Sequence, residues 1–184
     1  MMRSNVQAML WAIACLSVSI AFPASADPER TEFEVKAALL VKFAEYTDWP
    51  EAGTPICIGV LGEDPFGKDL DEAVAGKVIQ SPAGQKRTLT IKRSKNVTDL
   101  KSCDVLFIGK SEKDQLPQIF KTLGNSTILT VGDTDGFCKR RGIINFILKD
   151  GKIKYEINKK GVKRCDLKPK SGLLKAGIEA NEED

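Results

Sequence analysis

The segment ICIGVLGEDPFGKDLDEAV, residues 56–74, decides the fold class of this 184-residue chain. Its first part, Ile56 to Leu61, is continuously apolar, which is typical of a strand buried on both faces of a sheet. The turn at 62–67 contains glycine and proline and ends the strand, and residues 68–74 then predict a short helix. A buried strand that leads into a helix favours an α/β protein.

The same alternation of strands and helices continues on both sides of this segment. Upstream, residues 32–49 predict an amphipathic helix that Pro50 ends. Downstream, the pattern predicts strands at 88–92, 105–108, 127–131, 142–148 and 152–157, and helices at 112–123, 158–165 and 171–178. Asp150-Gly151, between the last two strands, is typical of a tight hairpin turn. We therefore expect one α/β domain over 27–184, with a mixed, mostly parallel sheet, helices on both faces and a C-terminal hairpin at its edge.

The N-terminus has the three parts of a secretory signal. Arg3 supplies positive charge, residues 8–22 form an uncharged apolar run, and Ala24-Ser25-Ala26 presents small residues where a signal peptidase cleaves. The apolar run is shorter than the roughly 20 residues that a membrane-spanning helix needs. We expect residues 1–26 to be a signal peptide that is cleaved after Ala26, so that the mature chain is exported. An uncleaved N-terminal anchor is the alternative.

The composition excludes several classes of enzyme. The chain contains no histidine, which rules out Ser-His-Asp and Cys-His catalysis and the usual histidine-bearing zinc sites. No nucleophile is paired with a base in the sequence, so we assign no catalytic residue. The formal net charge is only +3, although residues 139–170 carry twelve Lys or Arg against three acids. We interpret this stretch as a solvated face, because nucleic acid is a poor partner for an exported protein.

Four cysteines remain in the mature chain, Cys57, Cys103, Cys138 and Cys165, and an even number in an exported protein suggests two disulfides. Three pairings are possible for four cysteines. Local patterns favour Cys57 with Cys103, because each opens an apolar run and the first residues of neighbouring parallel strands lie close together. A bridge between Cys138 and Cys165 would complete the set, with buried free thiols as the alternative for that pair. The spacings fit neither a zinc site nor a C-x-x-C redox centre.

Two acidic turns are the candidates for a ligand site. Glu63 and Asp64 follow one predicted strand, and Asp133 and Asp135 follow another. Open α/β sheets bind ligands at the carboxyl ends of their strands, which makes these acids candidates for a small-molecule crevice. Solvated turn acids are the alternative. The second turn lacks the full calcium-loop pattern, because its first and last ligand positions hold residues that cannot bind calcium. We therefore predict no metal and no cofactor.

Several segments, taken in their order, resemble the YfiR family of periplasmic proteins. They are EVKAALLVKFA at 34–44 with TDWP at 47–50, ICIGVLGEDPFG at 56–67, CDVLFI at 103–108, ILTVGD at 128–133, and the stretch from Ile144-Asn145-Phe146 to Ile157-Asn158. Together they cover nearly the whole mature chain. The resemblance implies a compact Rossmann-like α/β domain in the periplasm, often dimeric and without known catalysis.

The resemblance also implies a function and partners. In this family a periplasmic repressor restrains a membrane-bound diguanylate cyclase by binding the periplasmic part of that inner-membrane protein, and an outer-membrane lipoprotein relieves the restraint. The chain would then act in cyclic-di-GMP signalling and biofilm control. Cys57 and Cys103 match the first disulfide pair of the family, whereas Asn145 stands where the other cysteine of the second pair would be. A periplasmic small-ligand-binding or sensor accessory protein is the alternative function.

Overall fold

The computed structural model describes residues 31–50, 55–80 and 84–182, so the predicted signal at 1–26 lies outside the described residues. In the described part, the helices are α1 (Glu32–Glu45), α2 (Lys68–Val74), α3 (Leu116–Leu123), α4 (Lys159–Arg164) and α5 (Ser171–Ala176). The strands are β1 (Thr47–Asp48), β2 (Ile56–Leu61), β3 (Val78–Gln80), β4 (Lys86–Ser94), β5 (Val105–Ile108), β6 (Leu129–Gly132), β7 (Ile144–Lys149), β8 (Lys152–Ile157), β9 (Lys168–Pro169) and β10 (Ile178–Glu179). Short 3-10 helices span Val97–Leu100 and Lys110–Gln115.

Among the described strands, eight form one mixed sheet in the order β10-β8-β7-β6-β5-β2-β4-β3. β2 lies between β4 and β5 and runs parallel to both, and β6 and β7 continue the parallel pairing beyond β5. β3 pairs antiparallel with β4, and β8 pairs antiparallel with β7. The chain therefore leaves β2 towards one edge to form β4, and then returns past β2 to form β5. The direction of winding reverses between β2 and β5.

The core consists of two clusters on opposite faces of the sheet. Val105 and Phe107 of β5 belong to one cluster, and Leu106 and Ile108 belong to the other. Successive side chains of a strand point to opposite faces, which places the two clusters on the two sides of the sheet. Residues of α1 and α2 pack in the first cluster, and residues of α3 pack in the second. The prediction of an α/β fold with a mixed sheet and helices is confirmed.

Helix α1 begins with a capping box and ends earlier than predicted. Thr31 Oγ1 accepts a hydrogen bond from the Glu34 N–H, and the Glu34 carboxylate accepts one from the Thr31 N–H. The helix ends at Glu45 rather than at the predicted Trp49, because β1 follows at once and pairs antiparallel with β9. The helical periodicity near Trp49 gives no sign of a partner strand that lies close to the other end of the chain.

The predicted hairpin is present at the end of the sheet. Asp150 and Gly151 connect β7 and β8, and both have positive φ angles, of 54° and 69°, as a type I′ turn requires. β2, α2, β5 and β8 have the predicted bounds. The predicted helix at 112–123 instead begins as a 3-10 turn and becomes α-helical only at Leu116. The last predicted helix ends at Ala176, and the residues after it form β10.

Candidate functional site

A crevice lies at the carboxyl ends of β2, β5 and β6. It consists of two cavities, of about 200 and 430 Å³, which share Lys110 and Asp133. The smaller cavity is also lined by Phe33, Glu63, Asp64, Pro65 and Ser111. The larger is also lined by Lys113, Thr134, Asp135 and Arg140. The four acids predicted for a ligand site, Glu63, Asp64, Asp133 and Asp135, thus surround one crevice, and ligand binding there stays a prediction.

The crevice lies where the winding of the sheet reverses. β2 and β5 are neighbours, but the chain forms β4 on the far side of β2 between them. The helix after β2, α2, packs on one face of the sheet, and α3 after β5 packs on the other. The two connections therefore leave the strand ends in opposite directions. A gap between such diverging connections is the usual place for a ligand in an open α/β sheet.

Hydrogen bonds hold the loops after β2 and β5 together. The Gly109 N–H donates to the Leu61 carbonyl over 3.0 Å, and the Glu63 N–H donates to Ser111 Oγ over 3.1 Å. Gly62 has a φ of +89°, and a Cβ at this position would lie 2.4 Å from Ser111 Oγ. Glycine is therefore required at position 62, both for its left-handed backbone and for the close approach of the two loops.

A buried ion pair lies at the crevice. Lys36 Nζ is 3.0 Å from Asp133 Oδ2, and the two side chains are only 4% and 6% exposed. Lys36 also forms an ion pair with Glu32 over 2.5 Å, and this hydrogen bond lowers the pKa of Glu32. The rings of Phe33 and Phe146 lie 5.3 and 5.8 Å from the same ammonium group. Because a lone buried charge is costly, Lys36 and Asp133 depend on each other.

One oxygen of the Asp133 carboxylate lacks a hydrogen-bond partner. Oδ2 accepts from Lys36, and Lys110 Nζ lies 3.8 Å from it. Oδ1 is buried and makes no hydrogen bond within the described part of the chain. Such buried acceptors are uncommon, because leaving one unpaired costs stability. The Lys110 side chain is 67% exposed, so it can change position without disturbing the core.

Asp64, by contrast, is held by an arginine. Arg93 Nε lies 2.6 Å from Asp64 Oδ2, and the guanidinium also bonds to the Asp71 carboxylate and the Gly67 carbonyl. Partial burial opposes ionisation of Arg93, but the hydrogen bonds to Asp71 and Asp64 outweigh it and raise the pKa of Arg93. The negative charge of Asp64 is therefore partly neutralised from outside the crevice.

The first predicted cysteine pair lies at the opposite end of the same strands. Cys57 is in β2, and Cys103 lies just before β5. A hydrogen bond between the two thiols lowers the pKa of Cys57 and raises the pKa of Cys103. Asp104 joins the segments further, because its N–H donates to the Cys57 carbonyl over 2.9 Å and its carboxylate accepts from the Cys57 N–H over 2.8 Å. Both residues are thiols in this structure, and the disulfide between them stays a prediction.

The other two cysteines are buried thiols. Cys138 Sγ donates to the Ile143 carbonyl over 3.6 Å, and burial raises the pKa of Cys138 to about 12. Burial also raises the pKa of Cys165, although the neighbouring Arg164 opposes this change. Burial and a high pKa suppress the thiolate form, so neither residue is a reactive thiol. A bridge between them stays a prediction.

Sequence reasoning missed the cations of the crevice. Lys110 begins the 3-10 helix after β5, and Arg140 follows the turn after β6, so both become neighbours of Asp133 only through the fold. Lys36 does carry a signal in the sequence. It lies at helical spacing from Phe33 and Leu40 on the apolar face of α1, where a lysine needs a buried partner.

A separate cavity of about 400 Å³ was also not anticipated. It is lined by Asp48, Trp49, Pro50, Thr127, Asp166 and Lys168. The Trp49 indole N–H donates to the Ala44 carbonyl over 2.9 Å, which fixes the ring, and Asp48 Oδ1 is a buried acceptor without a partner among the described residues. The cavity forms because β1 and β9 pair, so residues from both ends of the domain line it.

The side chains at these places can be compared with the needs of a metal ion, a membrane and a small polar ligand. Over the described ranges, no group of three or more His, Cys, Asp or Glu side chains is arranged to hold a metal ion. In the same ranges, no helix has the length and apolar character needed to cross a membrane. The crevice offers charges of both signs, hydrogen bonds and an aromatic ring, which are the groups that orient a small polar ligand.

Comparisons with known proteins give a family and a fold. A family model described as YfiR/HmsC-like matches residues 33–177. This range includes the crevice and the two segments that contain Cys57 and Cys103. A crystal structure of a conserved domain protein from Vibrio cholerae O1 biovar El Tor str. N16961 is similar, with a TM-score of 0.53 and 12% sequence identity. The alignment covers 83% of this chain and 60% of that one, so this chain spans about 60% of the length of that protein. At this identity the likeness shows the fold alone.

Proposed function

Because the chain belongs to the YfiR/HmsC-like family, we propose that it is a periplasmic regulator of cyclic-di-GMP signalling. In this proposal it restrains a membrane-bound diguanylate cyclase by binding the periplasmic part of the cyclase, and an outer-membrane lipoprotein relieves the restraint. The family match over residues 33–177 carries the proposal. Because the match extends over nearly the whole domain, the inferred role belongs to the domain rather than to one short motif.

Two further features support a protein that acts by binding. The chain has no histidine, so the common histidine-based catalytic centres cannot be assembled. The secretory signal predicted at 1–26 would deliver the domain to the side of the inner membrane where the periplasmic part of a cyclase lies. Contact between the two proteins then needs no further transport step. A homodimer is part of the proposal, and sedimentation equilibrium of the mature chain tests it.

The first experiment is genetic and has a matched control. Deletion of the gene is expected to raise cyclic-di-GMP several-fold and to increase biofilm, and the full chain supplied in trans is expected to reverse both changes. The same chain without residues 1–26 is expected to fail at equal expression, because it stays in the cytoplasm. An unchanged cyclic-di-GMP level after deletion would contradict the proposal that the protein restrains a diguanylate cyclase. Rescue by the chain without its signal would rule out action in the periplasm.

The second experiment tests direct contact. The exported chain is purified from the periplasm and mixed with the detergent-solubilised cyclase, and co-elution in size-exclusion chromatography is expected. Activity of the cyclase in the complex is expected to fall below that of the cyclase alone. Co-elution without a change in cyclase activity would support binding of the two proteins but would contradict inhibition of the cyclase.

A further inference from the structure

The two cavities of the crevice differ in charge. The smaller cavity has the acids Glu63, Asp64 and Asp133 around the single cation Lys110, and the ring of Phe33 forms part of its wall. We refer to it as the acidic lobe. In the larger cavity, which we call the basic lobe, three cations face two acids. The cations are Lys110, Lys113 and Arg140, and the acids are Asp133 and Asp135.

The charged residues of the two lobes differ in whether they are already in ion pairs. Glu63 and Lys113 are both exposed, and no ion pair within the described residues engages either of them. Two other acids of the crevice are already engaged, because Asp133 is paired with Lys36 and Asp64 with Arg93. The crevice therefore offers an unpaired carboxylate in the acidic lobe. Within the described residues, the basic lobe has two cations without an ion pair, Lys113 and Arg140, beside one such acid, Asp135.

The shared residues between the lobes lack a complete set of partners. Asp133 Oδ1 is buried without a hydrogen bond, although the side chain is only 6% exposed. Lys110 Nζ, at 3.8 Å from Asp133 Oδ2, is too far for a hydrogen bond, and its side chain is largely exposed. A ligand donor that took the place of Lys110 could approach Asp133 Oδ2, the carboxylate oxygen to which Lys110 is nearest. The unpartnered Oδ1 shows that the Asp133 carboxylate has hydrogen-bonding capacity that the described residues do not use.

The place of the crevice in the fold agrees with this reading. It lies between the carboxyl ends of β2 and β5, where the winding reverses and the connections diverge. The two lobes, of about 200 and 430 Å³, together have the size of an ordinary small-ligand site.

We propose that this crevice binds a small zwitterion, with its amine in the acidic lobe and its carboxylate in the basic lobe. The amine would lie near Glu63 and the Phe33 ring and would donate to the Asp133 carboxylate. The carboxylate would lie near Lys113 and Arg140. Opposite charges at the two ends of the ligand match the opposite charges of the two lobes, whereas a dianion or a dication would match only one of them. The proposal does not depend on the cyclase.

A series of ligands with equal chain length tests the charge pattern. Isothermal titration of the exported protein at low ionic strength is performed with γ-aminobutyrate, succinate and putrescine, which have four carbons each, and with the longer zwitterion dialanine. At least one zwitterion is expected to bind about 10-fold more tightly than succinate and putrescine, which corresponds to one good charged contact. Tighter binding of succinate or putrescine would refute the preference for a zwitterion. No binding by any of the four compounds would refute the proposal that the crevice is a ligand site.

Two variants then locate the binding. Glu63→Gln and Lys113→Gln are each expected to weaken the affinity for the zwitterion about 10-fold. Glu63→Gln is also expected to raise the affinity for succinate relative to the affinity for the zwitterion. The control variants Glu72→Gln and Lys121→Gln remove exposed charges that line neither cavity, and they are expected to bind as the wild type does. Circular dichroism confirms that each variant is folded. Zwitterion binding that survives both crevice substitutions would place the ligand elsewhere and refute the proposal.

Discussion

The two ends of the central strands are built from different chemistry. At the amino ends of β2 and β5, Asp104 joins the two segments through a backbone and a side-chain hydrogen bond to Cys57, and Cys103 precedes Asp104 in the chain. At the carboxyl ends, the connections diverge to opposite faces and enclose a crevice beside the buried pair of Lys36 and Asp133. One end is closed by short contacts between neighbouring strands, and the other stays open around buried charge.

Under our proposal, this difference places structural support at one end of a pair of strands and ligand binding at the other end. β5 has only four residues, which is about 13 Å at the usual rise of a strand. A junction that fixes the amino ends therefore also fixes the positions of the loops at the carboxyl ends. We expect the closed end to contribute more to stability. Under our proposal that the open end binds a ligand, that end can tolerate less stabilising arrangements, such as the unpartnered oxygen of the Asp133 carboxylate. The predictions below test this division.

The largest effect is expected at the closed end, from the predicted Cys57–Cys103 disulfide. Reduction should lower the free energy of unfolding by about 4 kcal/mol, because the bridge closes a long loop in the unfolded chain. Urea unfolding of the exported protein with and without a reductant measures the difference. The double variant Cys57→Ala with Cys103→Ala is the control, and its response to the reductant should be smaller than that of the wild type by this amount, since only Cys138 and Cys165 remain. Non-reducing peptide maps that show both thiols free would contradict the prediction.

The next largest effect is expected at the open end, from Asp133→Ala. This change leaves the Lys36 ammonium buried with only the partly exposed Glu32 as its partner, and it should cost about 3 kcal/mol of stability. The double variant Lys36→Met with Asp133→Leu should recover most of the loss, because it removes both buried charges. Thermal and urea unfolding of the three proteins provide the measurement. Equal losses in the single and double variants would mean that packing, not charge, matters at this position.

Two glycines of the central strands allow the packing near the two ends to be compared. A Cβ at Gly132, at the open end of β6, would lie 2.6 Å from the buried ring of Phe137, whereas a Cβ at Gly59 in β2 would lie 3.0 Å from Leu106 and 3.1 Å from Cys103 Sγ. Gly132→Ala should therefore cost about 2 kcal/mol and Gly59→Ala about 1 kcal/mol, as overpacking of a core usually does. Chemical denaturation gives both values. A reversed order would show that the Phe137 ring moves aside more easily than the Leu106 and Cys103 side chains.

The smallest effect is expected in the pH dependence of stability at the open end. The hydrogen bond from Lys36 lowers the pKa of Glu32 below its ordinary value of 4.5 in the folded state. The resulting stabilisation is present above that value and is lost as the pH falls through the lower folded pKa. Since half of the Glu32 side chain is exposed, the contribution should be only a few tenths of a kcal/mol. As the pH is lowered, the free energy of unfolding should therefore fall slightly less for Glu32→Gln than for the wild type. Urea unfolding at a series of acidic pH values measures this difference.

Local pattern was sufficient for the central elements of the fold. β2 and β5 could be predicted because their residues are apolar without interruption, as burial on both faces demands. The hairpin followed from Asp150-Gly151, since few other pairs adopt two positive φ angles. The acids of the crevice could be placed because the carboxyl ends of parallel strands lie at one edge of the sheet.

What the sequence could not provide depends on partners distant in the chain. β9 and β10 have two residues each and exist only because β1 and β8 lie beside them. The partner of Lys36 could not be identified either, because Asp133 lies 97 residues away and follows a strand that α1 does not precede directly. The hydrophobic pattern shows that Lys36 is a charged residue on the apolar face of its helix. Only the packed structure shows that Asp133 pairs with this buried charge.

The short strands at both edges of the sheet have a consequence for behaviour in solution. β3 has three residues, and β10, with two, covers only Glu156 and Ile157 of β8. The uncovered part of β8 carries Lys152 and Lys154. A short strand at one edge of the sheet and lysines along the other edge both hinder pairing with a strand of a second polypeptide. The protein is therefore expected to resist fibril formation at high concentration, a property that thioflavin fluorescence over days of incubation would reveal.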